Sequence, residues 1–130
     1  MKQVRHNVFE TNSSSVHAIT ICTQETFDKW INKELYFYRY KRQGYEQFFT
    51  WDEMIQFIRK VLHAAPEDIE DLVTLKKEDN EEFEQLLHEY DFYTPEMYED
   101  YNCEFESYEK HFTTPGGEEI VVFGYYGESR

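Results

Sequence analysis

The sequence predicts an α+β domain in which an antiparallel sheet, built from N-terminal and C-terminal hairpins, packs on a layer of short helices. Three observations carry this expectation. Strand-like alternation gathers at the two ends of the chain, whereas the middle spaces its apolar residues for helices and places helix-start residues before them. The chain has 130 residues, 40% of them hydrophobic, enough for one buried core and too few for two independent ones, so residues 1–130 read as a single domain. Its 11 Tyr, 11 Phe and 2 Trp make rings the main source of burial energy, each hiding about 150–250 Å².

Residues 2–10, "KQVRHNVFE", and 16–24, "VHAITICTQ", both read as strands, and the TNSSS between them has the length and residue types of a hairpin loop. If Glu10 pairs with Val16, then Phe9 faces His17, and Arg5, Asn7, Phe9 and His17 share one face. Thr26 is placed to cap a helix in which Phe27, Trp30, Ile31 and Leu35 form an apolar stripe. "LYFYRYKRQG" then reads as a strand ending at Gly44, with Tyr36, Tyr38 and Tyr40 on one face and Phe37, Arg39 and Lys41 on the other.

Thr50 followed by Glu53 is a capping box, opening a helix whose Trp51, Met54, Ile55, Ile58, Val61 and Leu62 share one side. Pro66 stands in the first turn of a short helix carrying Ile69, Leu72 and Val73. A further helix, 80–90, turns Phe83, Leu86, Leu87 and Tyr90 inward, and Thr94-Pro95-Glu96 starts another. "CEFESYEKHF", a TTPGG turn and "EEIVVFGYYG" close the chain as a second hairpin.

The net charge of −14 is unevenly spread. Residues 1–65 hold nine Lys/Arg against seven Asp/Glu, while residues 66–130 hold four against twenty. The densest stretch, 66–109, is an acidic, mostly helical segment with seventeen acids against Lys76 and Lys77. Such crowding disfavours direct contact with phosphates, so direct nucleic-acid binding by that half is not expected. The stretch 36–42 alternates tyrosines with basic residues, a pattern shared by single-stranded nucleic-acid platforms and by ordinary strands whose Arg and Lys snorkel outward.

Residues 1–10 alternate polar and apolar letters, and no apolar run approaches the ~20 residues that span a bilayer, which leads to the expectation of a cytoplasmic protein without a membrane partner. Cys22 and Cys103 form no CxxC pair and are expected as thiols. The acids lack calcium-loop spacing and the five histidines lack HExxH, so neither a metal nor another cofactor is expected.

The run Arg5-x-Asn7-x-Phe9-Glu10-Thr11-Asn12-Ser13-Ser14-Ser15-x-His17 resembles the opening of a group of small uncharacterised proteins from bacteria and their phages. The match covers about a tenth of the chain and is nearly contiguous. It implies a phage or mobile-element setting rather than an activity.

The residues support two functional expectations. In the first, a small acidic interaction protein uses Glu81, Glu82, Glu84, Glu96 and Glu99, with Arg5, Asn7 and Asn12 as further binding candidates. It docks on a basic, nucleic-acid-handling host protein and inhibits it, as an anti-CRISPR does, through imitation of nucleic-acid phosphates. Interleaved tyrosines at 90, 93, 98, 101 and 108 suit either an interface or a core. In the second, Ser13, Ser14, Ser15 and His17 make a catalytic or phosphate-binding set for a small enzyme or nucleotide-ligand domain. The same letters also make an ordinary turn, in which hydroxyls fold back onto their own backbone. Oligomeric state is not legible from the sequence.

Overall fold

The computed structural model describes residues 15–41 and 46–128. In chain order its elements are β1 (Ser15–Thr23), α1 (Gln24–Ile31), β2 (Tyr36–Tyr38), β3 (Phe48–Phe49), α2 (Trp51–Lys60), α3 (Pro66–Glu78), α4 (Glu82–Glu89), β4 (Phe92–Tyr93), α5 (Pro95–Tyr101), β5 (Glu106–Thr113) and β6 (Glu119–Glu128). The chain is α+β, with strands towards the ends and helices in the middle. The described residues form two compact units, one of residues 15–24 and 99–128, the other within Glu25–Tyr98. The first strand of the expected N-terminal hairpin and its TNSS residues lie outside the described residues.

In the terminal unit the strands form an antiparallel sheet of order β1-β6-β5, so the N-terminal strand and the C-terminal hairpin share one sheet with β6 at its centre. The turn joining β5 to β6 closes through Thr114 and Glu118: Thr114 N–H donates to the Glu118 carbonyl at 2.8 Å, and Glu118 N–H donates to Thr114 Oγ1 at 3.1 Å. Gly117 takes φ 89° there, a conformation glycine adopts without a Cβ penalty. In register, Ile19 stands opposite Gly124, which stands opposite Tyr108. The Tyr108 hydroxyl donates to the Ala18 carbonyl at 3.0 Å, tying β5 to β1 past the bare glycine between them. On one sheet face Thr20, Val121 and Phe123 are buried.

In the central unit a second antiparallel sheet runs β3-β2-β4. Its middle strand is only three residues long, and all three are buried. Phe37 meets Trp30, Phe48 and Tyr98 with ring centroids 5.1–5.6 Å apart. Tyr38 meets Phe49, Phe57 and Phe92 at 4.9–6.2 Å, and Tyr36 meets Trp51 and Phe83. Rings at these separations and inclinations are edge-to-face or tilted pairs, favoured over sandwiches by the ring quadrupole. Trp30 Nε1–H donates to the Tyr93 carbonyl at 3.1 Å, which satisfies the one polar atom of a side chain only 3% exposed.

Several local expectations change. The strand expected over 35–44 comprises only Tyr36–Tyr38, all three buried; a strand covered on both faces does not alternate, so alternation is no guide to its extent. Tyr40 is 48% exposed and does not share the buried environment of Tyr36 and Tyr38. Helix α1 begins at Gln24, so Thr26 lies inside its first turn and is not its cap. It ends before Leu35, because Lys33 adopts φ 65° and Glu34 N–H closes back on the Lys29 carbonyl at 2.8 Å, a Schellman-type stop. Ile31 is left 46% exposed.

The capping box is present in both directions. Glu53 N–H donates to Thr50 Oγ1 at 3.2 Å, and Thr50 N–H donates to Glu53 Oε1 at 2.9 Å. Helix α2 buries Met54, Ile55, Phe57 and Ile58, whereas Val61 and Leu62 stand beyond its end and are half-exposed. Helix α3 is longer than expected and leaves Val73 exposed. Helix α4 starts at Glu82, after Asn80 Oδ1 accepts from Glu82 N–H at 2.9 Å. Thr94 caps α5, its Oγ1 accepting from Met97 N–H at 3.3 Å, with Pro95 as first helical residue.

Candidate functional site

The acidic character of the central unit follows from the period of α3. Ile69 and Leu72 are buried at a three-residue spacing, which turns Glu67, Glu70 and Asp71 towards solvent. Glu78 and Asp79 follow at the helix end, where Asp79 takes the left-handed conformation at φ 51°. Glu81 and Glu82 continue the exposed series into α4. None of these seven carboxylates joins an ion pair among the described residues. Asp68 differs, because it accepts a short hydrogen bond from the Tyr90 hydroxyl. Burial first, and then that bond and the charges of Asp68 and Glu89, push the Tyr90 phenol up to about 12.

The positive charges nearest in sequence are engaged or few. Lys76 places its ammonium 4.2 Å from the centre of the Trp51 ring, a cation–π contact. Lys33 Nζ pairs with Glu96 at 3.3 Å, both side chains being more than half exposed, so the bridge contributes little stability. A cleft of about 260 Å³ opens beside that lysine. Tyr36 and Phe83 supply its rings, Asp79, Glu81 and Glu84 its carboxylates, and Thr94 a hydroxyl. The Thr94 hydroxyl donates to Glu84 Oε2 at 3.4 Å, so the helix cap and the acidic wall are linked.

The five acids singled out by sequence therefore divide. Glu81 and Glu82 are exposed, Glu84 is half-buried against Thr94, Glu96 is paired with Lys33, and Glu99 is exposed three residues further along α5. The exposed carboxylates of α3 are not among those five, although the Ile69/Leu72 period carries the information that would find them. Tyr36 and Tyr38 are core, which removes the stacked face that a single-stranded nucleic-acid platform needs. Arg39 lies over the Tyr40 ring at 5.5 Å and donates to the Tyr93 hydroxyl at 3.4 Å.

Of the serine-rich segment, Arg5, Asn7, Asn12, Ser13 and Ser14 lie outside the described residues, as does the facing of Phe9 and His17. Ser15 and His17 belong to β1, opposite Glu128 and Tyr126, so the strand begins one residue earlier than the sequence suggests. Both cysteines are free. Burial pushes the Cys22 thiol up to about 11, which keeps it protonated and a poor nucleophile near neutral pH.

Among the described residues no group of three or more His, Cys, Asp or Glu is placed to hold a metal ion. Nor, among them, is any helix long and apolar enough to cross a membrane. Comparison with family models, with curated proteins and with solved structures finds no match for the chain.

Proposed function

We propose that the protein is a small acidic interaction protein of phage or mobile-element type, which docks on a basic, nucleic-acid-handling host protein and blocks it. One observation carries this reading: Glu67, Glu70, Asp71, Glu78, Asp79, Glu81 and Glu82 are exposed, and none of them joins an ion pair among the described residues. A thirteen-residue helix such as α3 rises about 20 Å. Its exposed acids Glu67, Glu70 and Asp71 span about 6 Å of that axis, a mean of about 3 Å per charge beside the ~3.4 Å per phosphate of one DNA strand. Lys76 and Lys77 sit at its C-terminal end, so the excess charge lies in its first two turns and in the residues beyond it.

Exposed like charges cost the folded state some repulsion and steer a partner of opposite sign over distances beyond contact. The phage or mobile-element setting comes from the resemblance of residues 5–17, and an anti-CRISPR-like inhibitor is its concrete form. A variant carrying Glu67→Gln, Glu70→Gln, Asp71→Asn, Glu81→Gln and Glu82→Gln tests it against purified nucleic-acid-binding proteins, RNA-guided nucleases among them. With each exposed charge contributing a few tenths of a kcal/mol, binding should weaken about 10- to 100-fold with little change in melting temperature. An affinity unchanged in the five-fold variant would remove the acidic surface from the interface.

A further inference from the structure

We infer that the open face of the terminal sheet is where two copies of this chain associate. The register puts Ile19, Ile21, Ile120, Val122, Phe112 and Tyr126 on one face. Of these, Ile19 is 44% exposed, Ile21 66%, Phe112 52% and Tyr126 41%. Half of the large hydrophobic residues exposed among the described residues thus gather on a single face, the arrangement that marks an interaction site rather than scattered surface.

Charge decides which occupant fits. In a chain of net charge −14, most surfaces of a second copy would be repelled. By register this face has Glu128 at the end of β6 and, on β5, the carboxylate Glu106, held by the Tyr126 hydroxyl at 2.7 Å, with the amine Lys110 on the same strand and the same side. An isologous interface needs a self-complementary pattern, and this pair supplies one. A two-fold axis through the row of Tyr108 and Gly124 reverses the strands of the second copy. It then sets Lys110 of each chain over Glu106 of the other, with Ile19 over Ile19 and the bare Gly124 at the centre. Two sheets stacked in this way lie about 10 Å apart, within reach of these side chains.

The association does not use the carboxylates of residues 67–82, and the two respond oppositely to salt. Screening relieves the repulsion between two acidic copies while it weakens docking on a basic partner. Sedimentation of the full chain is therefore expected to show a species of about twice 15.9 kDa, more populated at raised salt. Ile21→Glu should weaken it at least tenfold without loss of helix or sheet signal, since the side chain it replaces is mostly in solvent. Lys110→Glu should weaken it too, and the exchange Lys110→Glu with Glu106→Lys should restore it. A monomer at every concentration and salt overturns the inference, whether the face is then covered by the chain's own residues or by another protein. So does a dimer indifferent to all three variants.

Discussion

Tyr90 and Asp68 form a contact whose effect on stability depends on pH. The phenol is raised from about 10 in an unfolded chain to about 12 in the fold. A raised folded-state value means that its contribution is whole below pH 10 and is lost as pH climbs through about 12. Difference titration of the parent chain against Tyr90→Phe, followed by phenolate absorbance, should show the missing group ionising near 12. A difference centred near 10 would mean that the hydrogen bond does not persist in solution. Gly124 gives a steric counterpart. A Cβ there would lie 1.9 Å from the Ala18 carbonyl oxygen and 2.8 Å from the Tyr108 hydroxyl. Gly124→Ala should therefore lower stability by about 2–3 kcal/mol, read from urea denaturation, and a neutral outcome would show that β1 moves aside at no cost. Neither contact is legible in the sequence, since each joins residues more than fifteen positions apart.

Among the elements, legibility follows the range of the interactions that define them. The capping box needs only Thr50 and Glu53, three residues apart, and both hydrogen bonds are present. Thr50→Ala should cost about 1 kcal/mol, with α2 losing first-turn protection in amide exchange, and unchanged protection would mean that packing of Met54 and Phe57 fixes the helix start unaided. Pro66 and Thr94-Pro95 are read from local chemistry in the same way. The end of α1 is not, because its left-handed residue is Lys33, whose side chain gives no hint of that conformation. The extent of β2 is hidden for another reason. Tyr36, Phe37 and Tyr38 are covered by rings from α1, α2, α4 and α5 and from both neighbouring strands, so alternation, which presumes one wet face, carries the strand too far beyond Tyr38. The terminal sheet lies between these cases: its strands are visible in the sequence, but their order is not.

At the scale of the whole molecule, the dominant fact is charge placement. Sequence counting locates the excess in residues 66–109, and the packing of Ile69 and Leu72 shows which carboxylates of α3 face solvent. The candidate site is therefore legible as a region but not as a set of residues. The candidate set shifts from Glu81, Glu82, Glu84, Glu96 and Glu99 to the exposed carboxylates of 67–82, since Glu84 and Glu96 have partners of their own. The measurement that bears most directly on this reading is competition between duplex DNA and the acidic chain for a purified basic, nucleic-acid-handling protein, at low and at raised salt. Displacement of the chain by DNA, with affinity falling steeply as salt rises and lost together with the 67–82 carboxylates, is the expected result. A complex indifferent to DNA, to salt and to those carboxylates would contradict phosphate imitation and return attention to the Ser13, Ser14, Ser15 and His17 segment.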